Sequence, residues 1–420
     1  MDAASEPEGL EASDDAAAAG PDSAGRSLDA RLVRRLLAVL GNPPIEFELA
    51  WTRERIAGPG SAVAKLRIAN RSTLIGILSD PRLRFGDAYS AGQVEIEGDL
   101  VQLLEIIYRS APTGAHSGAL ARVLNNWRHR PRRNTLIGSR NNIHRHYDLG
   151  NEFYSLWLGE TMAYTCAYYP TADATLDEAQ VAKMDHVCRK LQLTAGDSVV
   201  EAGCGWGTLA LHMASRFGAR VRAFNISKEQ IAFARARARE QGLEGRVEFV
   251  EDDYRNISGR YDVFVSVGML EHVGVENYPE LGRIARRAIG GEGRGLIHSI
   301  GRNHPEPLHP WVERRIFPGA YPPSLSEMMQ IFEPSRLSVL DVENIRLHYA
   351  LTLRAWLALY ERAVDKVHAM FDDVFVRMWR LYLAGSIAGF ETGTLQLFQV
   401  LFTGEENNRI PLTREFMYPH

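Results

Sequence analysis

Cysteine is scarce in this chain: Cys166, Cys188 and Cys204 are the only three among 420 residues. Three scattered thiols make neither a disulfide framework nor a cysteine metal site, and they suit a reducing cytoplasm. Long apolar runs are missing too; none approaches the ~20 residues of a membrane-crossing helix. A chain of this kind that acted on a lipid would meet it from the membrane surface. Strong net charge is also missing, and at −4 the chain as a whole sets up no field that would draw in nucleic acid. Lysine and arginine are absent from Met1 to Gly25, where Asp2, Glu6, Glu8, Glu11, Asp14, Asp15 and Asp22 fall. That stretch lacks the basic start of a signal peptide. It holds too little apolar surface to offset its ordering entropy, which predicts a disordered acidic tail over 1–27.

What is present is ordinary for a globular protein: 45% hydrophobic and 24% charged residues, with a length that suggests two domains. Residues 28–110 read as a small α+β unit. Leu28 to Leu40 has helical apolar spacing, and Asn42-Pro43-Pro44 ends it. IEFELAW, AVAKLRIA and TLIGIL then suggest short strands, and Leu83 to Tyr108 a short helix, a glycine turn and an amphipathic helix. Residues 111–140 form a basic linker; Arg122, Arg128, Arg130, Arg132 and Arg133 lie there, with Arg140 and Arg145 at and beyond its end. It is either a solvated connection or a contact for anionic headgroups. From Leu191 strands and helices alternate, which predicts a parallel sheet with helices on both faces and ligands at the carboxyl ends of its strands.

Val199 to Ala210, VVEAGCGWGTLA, is the stretch around which the rest is arranged. A buried strand ends at Glu201. Gly203, Gly205 and Gly207 then make a turn without side chains, and a helix opens. Bare backbone there lets a ligand approach closely, with its polar end near the positive end of the helix. The G-x-G-x-G spacing after an acidic residue is the pattern of S-adenosylmethionine (SAM) sites rather than of dinucleotide sites. The next strand ends at Asn225-Ile226-Ser227, with Gln230 one turn on; these amides can serve the ribose hydroxyls. The third ends at Asp252-Asp253, where a carboxylate can accept from the adenine amino group, or else cap a helix. The fourth ends in VGMLEHVG, which sets Glu271-His272 at the same edge, and His298 ends the following strand. His146 to Tyr169 is dense in aromatics, either a helix and strand that pack a cap or a lid over an apolar substrate. After Arg302 a Pro-rich segment suggests a cap over the site, followed by long helical runs through NIRLHYALTLRAWLALYERAVDKV and VRMWRLYLAGSIAGFETGTLQLFQVLF.

HYDLGNEFY…MAYTCAYY, EAGCGWG, SVGMLEHVG, HSIG, WVERRIFPGAYPPS, LHYALTLRAW and LQLFQVLF occur in this order. Together they resemble the cyclopropane-fatty-acyl-phospholipid synthases and the related mycolic-acid methyltransferases, over about Asn141 to Phe402. IGILSDPRLRFGDAYSAGQVEIEGDL resembles that family's N-terminal domain. The resemblance implies an α/β fold: a Rossmann-like class I SAM methyltransferase sheet with a helical, lipid-binding cap over 141–420. It implies SAM held by Tyr164-Thr165, the Glu201 to Gly207 loop, Asn225, Ser227, Gln230, Asp252 and Asp253. It further implies a bound bicarbonate as base, in a pocket matching Cys166, Glu271, His298, Ile300 (through its backbone) and Tyr349.

The implied reaction transfers a methylene group from SAM to the double bond of unsaturated phospholipid acyl chains. The enzyme would be cytoplasmic, in transient contact with the inner membrane face, with no metal, no nucleic-acid partner and a homodimer left open. The alternatives are a methylene- or methyl-branched product, and a non-catalytic SAM- or lipid-binding protein. One departure stands out. Where members often carry Cys before Ala-Gly-Phe-Arg, this chain has Ser386-Ile387-Ala388-Gly389-Phe390-Glu391. Glu391 stands there in place of a basic residue.

Overall fold

The computed structural model describes residues 27–110 and 149–418. The acidic tail before Ser27, the basic linker and His146 of the aromatic block lie outside these residues.

The N-terminal unit opens with α1 (Leu28–Val39), capped by Ser27, followed by β1 (Ile45–Leu49), β2 (Arg55–Ala57) and β3 (Ala64–Ile68). Next come α2 (Arg71–Ser79), α3 (Pro81–Ser90), β4 (Val94–Glu97) and α4 (Leu100–Ser110). The sheet order is β2-β1-β3-β4, with β1 and β3 parallel. TLIGIL, expected as a strand, lies in helix α2. An apolar run of six cannot separate strand from helix by periodicity. Here the Asn70 side chain accepts from Thr73 N–H at 2.9 Å and starts a helix that buries Leu74 and Ile77. The glycine turn after α3 leads into β4, a strand the sequence did not reveal.

The second unit carries a seven-stranded sheet, ordered β10-β11-β9-β8-β5-β6-β7. Its first half alternates as expected: α5 (Asn151–Ser155), α6 (Leu176–Lys190), β5 (Ser198–Ala202), α7 (Thr208–Phe217), β6 (Arg220–Asn225), α8 (Lys228–Glu240), β7 (Val247–Glu251), β8 (Val263–Val267), α9 (Tyr278–Ile289) and β9 (Arg294–Gly301). β5 to β9 pair in parallel. Then follow α10 (Pro310–Arg315), α11 (Leu325–Phe332), β10 (Leu337–Asn344), α12 (Arg346–Arg362), α13 (Val364–Met370), α14 (Asp373–Glu391) and β11 (Gln396–Gly404).

LQLFQVLF corrects the expected helical run: it is β11, inserted antiparallel between β9 and β10. All nine of its residues are buried, and a strand covered on both faces loses the alternation that would mark it. Of the described part of the aromatic block, only α5 is helical; residues 156–175 form an irregular strap rather than a strand.

The two units are docked. α14 packs on α3 and α4, and Arg377 on α14 donates to Tyr89 O and Val94 O at 2.6 and 2.8 Å. Its guanidinium also lies 4.4 Å from the Tyr89 ring centre. Arg315 forms a two-pronged bond to Asp87, and Trp311 packs so closely on Gly86 that a Cβ there would sit 2.5 Å from its ring. Glu391 faces this junction: Arg354 grips it at 2.6 and 2.8 Å and reaches Glu105 of the N-terminal unit at 3.4 Å. Among the described residues, no helix is long and apolar enough to cross a membrane.

Candidate active site

The carboxyl ends of β8, β5 and β6 lie side by side, and a cavity of about 110 Å³ runs across them. Its floor is the glycine turn after β5, where Gly203, Gly205 and Gly207 all have positive φ. Each glycine has its own reason. A Cβ on Gly205 would meet nothing within 4 Å, so that backbone lies open. A Cβ on Gly207 would strike Phe249 at 2.6 Å and Ala234 at 2.8 Å, so Gly207 lets α7 pack closely and does not line the cavity.

Of the residues expected to hold the cofactor, Tyr164, Thr165, Glu201, Gly203, Gly205, Asn225 and Gln230 line the cavity. Asn225 Nδ2 donates to Gln230 Oε1 at 2.7 Å and to Gly205 O at 3.2 Å, which ties the β6 end to the glycine turn. Ser227 is buried beneath as the N-cap of α8. Asp253 caps the short turn after β7 and pairs with Arg255 at 3.1 Å; Asp252 accepts from Asn256. Asp253 takes the capping use that the sequence left open, Asp252 also accepts the Asp253 N–H, and neither is among the lining residues.

The cavity also draws in residues not expected from sequence, above all Lys183, Met269 and His272. Lys183 lies in the middle of α6, is 2% exposed, and donates to Thr165 Oγ1 at 2.9 Å. From the same helix Gln180 donates to Thr165 O at 2.9 Å, so α6 holds the strap by side chain and backbone. Burial lowers the Lys183 ammonium to about 8, against the pull of Cys166 and Glu201. It raises the Glu201 carboxyl to about 8, against the opposing effect of Lys183. Glu201 Oε2 is buried without a hydrogen-bond partner.

Beyond β8 the chain turns through Glu271 and His272. His272 faces the cavity, and burial depresses it to about 4, so its ring is neutral at pH 7. Glu271 Oε1 accepts the Ile300 N–H at 2.6 Å, and its backbone carbonyl accepts from Tyr321 of the cap at 2.8 Å. Its Oε2 is buried and has no partner, and burial raises the carboxyl to about 7. His298 lies two residues before Ile300 on β9, buried, with Nδ1 3.2 Å from the Gln399 amide; burial keeps its ring neutral as well. Cys166 is buried and donates to Ala167 O at 3.0 Å, and burial holds it as a thiol. Cys166 and Tyr349 belong to one apolar cluster, and Ile300 packs against it. Thus Glu271 and Ile300 are joined directly, His298 sits beside them on β9, and Cys166 and Tyr349 border the same apolar body.

That cluster is rich in rings. Tyr164 reaches from the cavity wall to Trp157 and Trp356, with centroids 5.2 and 5.4 Å apart, and its hydroxyl bonds to that of Tyr382 at 2.9 Å. An aromatic, water-poor region therefore starts one side chain away from the cavity.

Residues 135–400 match the family model described as mycolic acid cyclopropane synthetase. The chain belongs to that family. Residues 34–118 match a domain of unknown function. Within the family's reach lie a probable fatty acid methyltransferase of Pseudomonas putida, 40% identical across 65% of this chain and 72% of that one, and the cyclopropane-fatty-acyl-phospholipid synthase of Escherichia coli K12, 37% identical across 64% and 69%. Among solved structures, a mycolic acid cyclopropane synthase complexed with SAH and CTAB aligns with a TM-score of 0.60 and 27% identity, over 63% of this chain and 97% of that one. Coclaurine N-methyltransferase, bound to N-methylheliamine and SAH, aligns with a TM-score of 0.63 and 25% identity, over 76% and 98%. The fold is that of class I SAM methyltransferases, and the chain is a methyltransferase of this family.

Proposed function

We propose that this enzyme adds the methyl carbon of SAM to the double bond of an unsaturated phospholipid acyl chain and closes it to a cyclopropane ring. SAM supplies an electrophilic methyl group on its sulfonium. The residues present suit it: open backbone at Gly205, two amides at the β6 end, and a buried, unpartnered carboxylate oxygen on Glu201.

The observation that carries the reading is adjacency. His272 lines the cofactor cavity, while the preceding residue, Glu271, keeps a buried carboxylate oxygen without a partner beside β9. Alkylating an alkene leaves a cation on the acyl chain, and a proton must then leave the added carbon for the ring to close. Water would trap that cation, so the acyl chain needs the dry aromatic body around Trp157, Tyr164 and Trp356, whose ring faces also favour positive charge. A bicarbonate ion is our candidate base. Glu271 Oε2, in a carboxyl raised to about 7, can offer a proton to such an anion, neutral His298 can donate an N–H, and Cys166 and Tyr349 complete the pocket. The acyl chain is met from the membrane surface, by transient contact. A relative named as a fatty acid methyltransferase keeps a second product in play, a methylene or methyl branch.

Mass spectrometry of phospholipid acyl chains from cells expressing the protein, supplied with methyl-labelled methionine, tests this. A labelled gain of one CH2 that resists hydrogenation means a ring. A gain that takes up hydrogen means a methylene branch, and no gain in any lipid removes the proposal.

A further inference from the structure

Two guanidiniums from different units share one carboxylate beside the cap. Arg82 on α3 reaches Glu306 Oε1 at 3.6 Å, and Arg302, just past β9, reaches Glu306 Oε2 at 3.1 Å. His304 Nε2 stands 3.6 Å from that second oxygen. Two arginines against one carboxylate leave a positive charge over. Arg302 is 5% exposed, and its Nε is buried without a hydrogen bond to any described residue. Burial, with Arg82 adding to it, lowers this guanidinium below its ordinary range, against the pull of Glu306. A buried cation only partly answered is costly, and it points to an anion that would complete it.

The surroundings narrow the choice of anion. Arg302 donates its backbone N–H to Pro323 O at 2.9 Å, and Tyr321, two residues before that proline, donates to the carbonyl of Glu271 at 2.8 Å. Ile300, two residues before Arg302, is bonded to the Glu271 carboxylate. Phe317 of the same cap segment sets its ring 6.0 Å from that of His272 and 5.5 Å from that of Tyr382. The cap therefore meets the arginine pair on one side and the Glu271 turn and aromatic body on the other. From the N-terminal unit come Arg82 and, on α4, Tyr108, whose phenol feels both guanidiniums. A ligand that spans these two regions is anionic at one end and apolar at the other, as a phospholipid is. Its phosphodiester has two unesterified oxygens, and two oxygens are what Glu306 uses to bridge the arginines.

We infer that Arg82 and Arg302 form a binding site for the phosphodiester of the substrate lipid, which takes the place of the Glu306 carboxylate between them. This rests on the reading of the chain as an enzyme of phospholipid acyl chains. Glu306 closes the site when no lipid is bound. Its side chain is 34% exposed, on the loop between β9 and α10, and it has room to turn toward solvent and yield both cations. The site also gives a task to the N-terminal unit, whose family match is to a domain of unknown function: it supplies Arg82 to the lipid.

Transfer of labelled methyl from SAM by the full chain tests this, in vesicles of dimyristoyl phosphatidylcholine carrying a minor share of either dioleoyl phosphatidylcholine or dioleoylglycerol. The two acceptors have the same double bonds and no net charge, and only one has a phosphodiester. Wild type should show a kcat/KM about tenfold or more higher for the phosphatidylcholine. Arg82→Gln, a change at a partly exposed position, should shrink that preference about three- to tenfold, through KM rather than kcat. Glu306→Gln removes the competing carboxylate and should lower KM for the phosphatidylcholine. A rise instead would make the three residues a structural brace and overturn the site. A loss in Arg82→Gln that is equal for both lipids overturns it too. Absence of the wild-type preference overturns it without any variant, and calorimetry with inorganic phosphate then tells whether the arginines take the free anion. No transfer to either lipid refutes the proposed function itself, whereas transfer without preference refutes only this site.

Discussion

Glu271 Oε1 accepts the backbone N–H of Ile300 at 2.6 Å, and this bond ties the turn after β8 to the end of β9. It fixes one carboxylate oxygen and leaves the other, buried and unpartnered, next to a residue of the cofactor cavity. Removing its ionisable proton while keeping its shape should damage turnover rather than binding. Glu271→Gln is expected to lower kcat by about a hundredfold or more, with the S-adenosylhomocysteine dissociation constant within about threefold of wild type. Loss of binding instead would mean that Glu271 supports the cavity wall and not proton transfer.

The same carboxyl ties stability to pH. Unfolded, it titrates near 4.5; folded, burial raises it to about 7. Between these values the folded chain keeps a proton that the unfolded chain has released, so stability falls as pH rises. The full effect is about 3 kcal/mol. Wild type should therefore lose melting temperature relative to Glu271→Gln between pH 5 and pH 8. Parallel curves for the two proteins in differential scanning fluorimetry would show that Glu271 titrates normally.

Gly268 sits behind the strap, with φ +76 and an added Cβ only 2.9 Å from Thr165 Cγ2. Thr165 is held from the other side by Lys183 and Gln180, so it has little room to give way. Gly268→Ala should destabilise the protein by about 1–3 kcal/mol and weaken S-adenosylhomocysteine binding at the same time. Unchanged binding in calorimetry would show that the strap can shift without disturbing the cavity.

Glu391 lies at the junction with the N-terminal unit, between Arg354 and Glu105. The hydrogen bond it shares with Glu105, together with burial, pushes Glu105 up to about 7, while Arg354 and Arg109 oppose that rise. Restoring a basic residue with Glu391→Arg would place a guanidinium against Arg354 and remove its two short bonds. The pair is partly exposed, so a loss of about 1 kcal/mol is expected. Arg377→Ala should cost more, about 2 kcal/mol, because it strips donors from Tyr89 O and Val94 O and a ring contact. Undocking would be seen as a second thermal transition. A single transition at the wild-type temperature for both variants would mean that the contacts of α14 with α3 and α4 hold the units without these side chains.

Features that depend on neighbours along the chain are legible in the amino-acid sequence. The glycine turn, Asn225 with Gln230, and Glu271-His272 all follow directly from strand ends, and successive parallel strands must bring those ends to one edge. The fold class follows from the same alternation. Elements without that local mark are not legible. TLIGIL becomes helix through one capping side chain. LQLFQVLF becomes a central strand because both its faces are covered. Asp252 and Asp253 stand where a ligand carboxylate is expected, and only the folded chain shows which neighbours in the turn after β7, Asn256 and Arg255, each of them also touches.

By itself, the sequence determined the glycine hollow, the order of the strand ends and the family to which these blocks belong, since each is written in residues a few positions apart. Only the tertiary structure decided that Lys183, which no motif in the sequence marks, is buried against the cofactor cavity. That burial is made by an irregular strap whose backbone bonds go to side chains on other elements, and no spacing within one segment encodes such a contact.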